Sequence, residues 1–350
     1  MKIVVIGGAG FIGKHLVRNI LSNSSHKLII IDNLSNSNLH EFYDFIFANG
    51  KVRNRAAERI AFKRVDTRNK DDVQRVFQKE GKVGACIHLA ARVSVNDSLI
   101  DPESTFATNV KGTENVLSSA SQVGTESLVF ASSAAVYGVP RQLPVAEEDT
   151  TEPISPYGKS KLLGEALVNE YASKFRFATS LRIFNAYGKG QTIRYGGVVS
   201  RFADRILNDL PPVIYGDGYQ TRDFISIDDV IRAIITAARI DKKDNDVGNN
   251  SHEYDEKSLK SCKIFNIGTG IPTKILDLAE IMKDVIRGSN HHHHLRPIFE
   301  SLPALQVTGD IPNIYADTRK SGLKLGFNFK DDLRTGLVRM FSGSKLNLPE

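Results

Sequence analysis

The chain opens MKIVVIGGAGFIGKHL: an apolar run, a cluster of glycines, then an amphipathic stretch. Gly7, Gly10 and Gly13 recur every third residue between a strand pattern and a helix pattern. Glycine permits a tight turn and lets backbone N–H groups approach a pyrophosphate. The helix that follows adds the positive end of its dipole. A glycine pattern alone says little. Between a strand and a helix it marks the first turn of a dinucleotide-binding βαβ unit, and that unit requires a parallel sheet. Asp32 closes the next apolar run, KLIIID. A carboxylate there suits the hydroxyls of an adenosine ribose and repels a 2′-phosphate. Asn33, Leu34 and Ser35 follow it with no arginine among them, which favours NAD over NADP.

The rest of the first half keeps this rhythm. Apolar runs at 2–8, 27–32, 60–66, 85–91, 127–133 and 177–185 alternate with amphipathic stretches. Continuous apolar strands separated by helices mean a parallel sheet covered on both faces, the doubly wound α/β (Rossmann) class. The second half is less regular and reads as a smaller, mixed α/β domain. The expected division is 1–185, with a later contribution from about 222–240, for the dinucleotide domain. Residues 186–350 form the second domain, interleaved with the first. Two stretches, 36–59 and 241–260, look like exposed loops or insertions.

Composition closes off other classes. Of the 350 residues 41% are hydrophobic and 25% charged, as in ordinary globular chains. The 46 basic and 40 acidic residues give +6, spread along the chain without a basic arm, so nucleic acid is not an expected partner. No apolar run approaches the ~20 residues that cross a bilayer. Cys86 and Cys262 form no pairing motif, and Cys86 reads as a buried thiol. A cytoplasmic location is expected. The run His291–His294 has no suitably spaced partner, and no metal is expected.

The stretch SPYGKSKLLGE (155–165) places Tyr157 and Lys161 four apart on a helical pattern, hence on one face. A phenol titrates near ~10, too high for an efficient base at neutral pH. A neighbouring cation favours the phenolate, and Lys161 would supply it. With a nicotinamide present, Tyr157 could take a proton from a sugar hydroxyl while hydride leaves the same carbon. Ser133, closing the run SLVFASS, would hydrogen-bond that oxygen.

Several linked motifs run along nearly the whole chain: GGAGFIG, DNLS (32–35), VDTRN (65–69), HLAA (88–91), NVKGTENVL (109–117), SSAAVYG (132–138), SPYGKSK (155–161), RIFNAYG (182–188), YGDGYQTRDFISIDDV (215–230) and FNIGTG (265–270). In these the chain resembles the extended short-chain dehydrogenases/reductases of the NAD-dependent sugar epimerase/dehydratase family, in particular the UDP-glucose (UDP-galactose) 4-epimerases. The resemblance implies a catalytic set of Ser133, Tyr157 and Lys161. It implies a cofactor site at Gly7, Gly10, Phe11, Ile12, Gly13, Asp32, Asn33 and Phe184, with Tyr157 and Lys161. Asp66 and Thr67 would lie at the adenine, Leu89, Ala90 and Ala91 along the dinucleotide, and Asn109 near the nicotinamide. For the nucleotide-diphosphate sugar it implies Ser133, Asn185 and Arg222, the last neutralising the diphosphate. Gly197, Val198, Val213 and Tyr215 would surround the base, and Asp310 would touch the ribose. A homodimer built on helices around 98–122 and 157–173 is expected.

Between Ser133 and Tyr137 stand Ala134, Ala135 and Val136. Members of the family that eliminate water carry an acid and a base there, and those that decarboxylate carry a glutamate. Alanine serves neither, which leaves removal and return of hydride through a transient 4-keto sugar. Two departures stand out. Val307 stands where the family often has an arginine, so one diphosphate contact is either missing or supplied by Arg194 or Arg296; Ile314 leaves glucose and N-acetylglucosamine open, and a similar Ser–Tyr–Lys set in glucuronate epimerases leaves glucuronate open too. A dehydrogenase or reductase that consumes NAD, and a non-catalytic NAD-sensing protein, are the alternatives.

Overall fold

The computed structural model describes residues 1–48, 54–192, 197–240, 261–288, 294–301 and 310–342. Its strands are β1 (Lys2–Ile6), β2 (Lys27–Asp32), β3 (Ile60–Arg64), β4 (Ala85–His88), β5 (Ser127–Ser133), β6 (Phe177–Ile183), β7 (Asn185–Tyr187), β8 (Val213–Tyr215), β9 (Thr221–Ser226), β10 (Lys263–Ile267), β11 (Pro272–Lys274) and β12 (Ile298–Glu300). Seven of them form one sheet in the order β10-β6-β5-β4-β1-β2-β3, every neighbouring pair parallel. The order reverses between β1 and β4, and a crevice at that switch point is where doubly wound sheets hold ligands.

The helices are α1 (Phe11–Asn23), α2 (Leu39–Phe47), α3 (Lys70–Glu80), α4 (Val95–Ile100), α5 (Pro102–Phe106), α6 (Gly112–Gln122), α7 (Pro156–Tyr171), α8 (Val198–Leu207), α9 (Ile227–Ala238), α10 (Ile275–Arg287) and α11 (Leu333–Phe341). The strands are apolar throughout because both faces are covered. Ile3, Val5, Leu28 and Ile30 pack with α1, α2 and α9. Their neighbours Val4, Ile6, Ile29 and Ile31 pack on the other face with Val73, Phe77, Val116, Leu117 and Val168 of α3, α6 and α7. Cys86 is free and fully buried in β4, where burial pushes its thiol up to about 12. A separate core, with Phe202, Ile206, Leu278, Met282 and Leu337, binds α8, α10 and α11 to the small sheets β11-β9-β7 and β12-β8.

Two features differ from the sequence reading or extend it. Within the stretch 36–59, the described residues Leu39–Phe47 and Asn54–Arg59 are helical and not open loop. Asn38 accepts a hydrogen bond from the Glu41 N–H (2.8 Å) and so caps α2, whose Phe42 and Ile46 are buried against α1. The seventh strand, β10, comes from the FNIGTG stretch, not read as a strand in the sequence. It joins the sheet beside β6, while α9 packs on the face that holds α1. The stretch 241–260 and His291–His293 lie outside the described residues; His294 Nε2 faces Asp209 at 3.1 Å. Among the described residues no cluster of ligating side chains could hold a metal ion, and no helix is long and apolar enough to cross a membrane.

Candidate active site

A cleft of about 1340 Å³ runs from the glycine turn, past the ends of β4 and β5, to β8 and β12. At one end Gly7 holds φ +79°. A Cβ on Gly7 would stand 2.6 Å from the Ala90 nitrogen, and one on Gly13 2.3 Å from the Gly7 carbonyl oxygen. No side chain caps α1 and no acid occupies its first turn, so its first N–H groups and the dipole face the cleft unopposed. This turn fits a pyrophosphate. Asp32 lines the cleft beside it, accepting from the Ala9 (3.0 Å) and Leu34 (2.8 Å) N–H groups. Burial raises its pKa, and those two bonds oppose the rise. Phe11, Ile12, Asn33, Thr67, Leu89, Ala90 and Ala91 also line this end.

Asp66 and Asn109 are turned to the protein. Asp66 takes Arg68 on both oxygens (3.0 and 2.8 Å) and Asn33 Nδ2 at 3.0 Å, and the arginine bonds hold its pKa down to about 2. Asn109 is buried. It accepts from the Arg92 N–H (2.8 Å) and donates to the Arg92 carbonyl (3.0 Å) and Ser160 Oγ (2.9 Å). It therefore ties the wall after β4 to the helix that carries Tyr157.

The reactive group forms where β5 ends and α7 begins. Ser155 accepts from the Gly158 N–H (3.1 Å) and Pro156 occupies the first turn, which fixes the start of α7. Ser98 Oγ accepts the Tyr157 N–H at 3.1 Å and braces that end. Ser133 and Tyr157, 24 residues apart, both line the cleft; Ser133 Oγ accepts the Ala135 N–H at 3.2 Å, and the serine beside the phenol works to lower its pKa. Burial nevertheless keeps the phenol above its ordinary pKa. The expectation that Lys161 and a nicotinamide together hold Tyr157 toward phenolate concerns the site with NAD bound. Lys161 Nζ donates to the Ala131 carbonyl (2.8 Å), behind the lining, 5.1 Å over the Phe130 ring. Burial lowers its own pKa to about 8, against the charge of Glu165.

At the far end Phe184, Asn185, Gly197, Val198, Val213, Tyr215, Arg222 and Asp310 all line the cleft. Two of them meet each other: Arg222 Nη2 pairs with Asp310 Oδ1 at 2.7 Å, across 88 residues. Arg222 Nη1 also donates to the carbonyls of Thr221 (2.9 Å) and Pro312 (3.1 Å). Asn185 Nδ2 donates to the Asp223 carbonyl at 3.2 Å. The sequence reading missed Asp223, although it stands in the QTRDF motif. It is fully buried and accepts from the Thr269 N–H (2.8 Å), Thr269 Oγ1 (2.6 Å), the Gly270 N–H (2.9 Å) and the Ala316 N–H (3.1 Å). It also missed Arg92, Arg201 and Arg205, which line the cleft. Arg194 and Val307 lie outside the described residues, and Arg296 does not reach the lining.

A glycine turn under an open helix end, with a serine–tyrosine pair further along the same cleft, is what an NAD-dependent sugar enzyme needs, and the comparisons agree. The family model described as "NAD dependent epimerase/dehydratase family" matches residues 3–250. The chain belongs to that family. Its cofactor is NAD, which gives the family its name. A putative UDP-glucose 4-epimerase of Methanocaldococcus jannaschii is 33% identical over 348 residues, covering 99% of both chains. The crystal structure of a Thermotoga maritima UDP-glucose 4-epimerase with UDP-glucose matches with TM-score 0.79 and 28% identity, over 97% of each chain. The UDP-glucuronic acid 4-epimerase of Bacillus cereus, in complex with UDP-glucuronic acid and NAD, matches with TM-score 0.77 and 29% identity, over 97% of this chain and 98% of that one.

Proposed function

We propose that this epimerase-family chain is a nucleotide-sugar 4-epimerase acting on a UDP-hexose: UDP-glucose/UDP-galactose or the N-acetylated or uronate counterparts. The carrying observation is that Ser133 and Tyr157 line one cleft with Ala134 and Ala135 between them in the lining, so the positions after Ser133 bring no added acid or base for elimination. The glycine turn and Asp32 would hold NAD, which when bound would supply a reversible hydride acceptor. Tyr157 takes the proton of the sugar 4-hydroxyl and later returns it. The Ser133 hydroxyl steadies the same oxygen. Arg222 and Asp310 engage the diphosphate and ribose of the substrate, and the walls at Val213 and Tyr215 take the base. Ala134, Phe184 and Ile314 give the sugar an apolar surroundings with few polar holds, which suits turning it over.

The test is incubation with UDP-glucose, UDP-N-acetylglucosamine and UDP-glucuronate, followed by chromatography of the products. Conversion to the 4-epimer without net absorbance change at ~340 nm supports the proposal, since a transferred hydride is returned. Sustained NADH release would point to a dehydrogenase. Tyr157→Phe should lower turnover by at least ~100-fold and leave NAD bound. Full activity in that variant refutes the assignment of the base.

A further inference from the structure

Tyr157, Lys161 and Glu165 follow one another at steps of four along α7, so the three side chains rise along one face. The reaction above uses Tyr157, the family resemblance adds Lys161 to the reactive group, and neither assigns a role to Glu165. Glu165 is only 4% exposed, yet it is fully engaged. Arg182 of β6 donates Nε to Oε1 (3.0 Å) and Nη2 to Oε2 (2.8 Å), and Ser132 of β5 donates to Oε1 at 2.5 Å. Arg182 also donates Nη1 to the Glu147 carbonyl (3.0 Å), with its guanidinium 4.7 Å over the Tyr137 ring. A buried ion pair adds little stability over a well-packed apolar pair of the same size. This one stands beside the reactive group: Ser132 precedes Ser133, and Lys161 is one turn along α7.

We propose that Glu165 is a positioning residue that keeps Lys161 protonated in its dry site, and that Arg182 sets how much of the carboxylate charge reaches it. The proposal rests on the assignment of Lys161 to the reactive group. The groups facing Lys161 leave Glu165 as the charge that opposes burial there. On β4, His88 is 1% exposed and neutral, held down to about 3 by burial and by the Lys161 charge. Its Nε2 donates to Thr113 Oγ1 at 2.9 Å, because that hydroxyl is itself spent on the Asn109 carbonyl at 2.6 Å. On β5, Ala131 offers a carbonyl and Phe130 a ring face. On α7 itself, Tyr157 is a neutral phenol. Near Glu165 the Cys262 thiol is neutral too, pushed up to about 11. An arginine cannot shed its proton. If Glu165 loses its charge, Lys161 is the cation that must yield.

The sign follows. Lys161 titrates near 8 in the folded chain, so its charge is present below that pH and lost above it. Glu165→Gln should move the high-pH limb of kcat for UDP-glucose epimerisation to lower pH by a unit or more, roughly a tenfold change in the Lys161 proton equilibrium. The pH limb of NAD affinity, followed by calorimetry on the full chain, should move with it. Glu165→Asp keeps the wild-type limb, Arg182→Met moves it to higher pH, and Glu165→Gln with Arg182→Met moves it back toward wild type. A loss even at every pH, with neither limb displaced, overturns the proposal. If Glu165→Gln does not fold, an Arg182→Met limb that stays in place overturns it equally. If wild type turns over no UDP-sugar, the epimerase reading fails and the NAD limb still decides the role of Glu165.

Discussion

Asp223 shows how much one side chain organises. Each of its oxygens takes two donors, drawn from the 269–270 turn and from Ala316, and a Cβ on Gly268 would stand 2.5 Å from Oδ2. Asp223→Ala should leave those donors buried without partners and lower unfolding free energy by ~3 kcal/mol or more, read from the denaturant midpoint. Asp223→Asn should also destabilise, because it sets N–H donors against N–H donors on one side. An unchanged midpoint in both would mean that the turn is held by something else. Residue-scale features were legible where the cause is local. Gly7, Gly10 and Gly13 announce themselves because strand, turn and helix are adjacent in the chain. The partners of Lys161 and Arg222 were not legible. The Ala131 carbonyl and Asp310 come to them through the packing of β5 and the return of the C-terminal segment. Spacing of four fixes a shared helix face, and the neighbour on that face is settled by tertiary packing.

At the scale of elements, α2 is the clearest departure from the sequence reading. Its polar flanks suggested a loop, yet Phe42 and Ile46 at i and i+4 already carry the amphipathic signal, and Asn38 carries the cap. Phe42 lies in the core shared with α1, and its ring centroid is 5.5 Å from that of Phe62. Phe42→Ala should therefore lower stability by ~3–5 kcal/mol. A loss below ~1 kcal/mol, measured by denaturant unfolding, would show that α2 is only loosely docked. The six strands of the first half were readable because burial on both faces leaves each a continuous apolar run. β10 was harder: Lys263–Ile267 is short, it follows a polar stretch, and its place beside β6 is fixed by partners far away in sequence.

At the scale of the molecule, α4 and α7 leave Ile100 71% and Leu163 47% exposed. We propose that a second copy covers them, through the run from α4 to α6 together with α7. Ile100→Glu should then shift the chain from dimer to monomer by light scattering; a wild-type monomer at micromolar concentration would refute the pairing.

The main sheet also has a history in the chain. After β6 the backbone leaves to build the small sheets and returns to lay β10 against β6. The family match ends at residue 250, before that return. A fragment trimmed to the matched region would keep the glycine cradle and the tyrosine, but it would bare the unpaired N–H and C=O row of Thr179–Ile183. Open rims of that kind recruit other chains. The conventional excision of a nucleotide-binding half is therefore the wrong reagent for this protein: it should precipitate, where the intact chain stays dispersed.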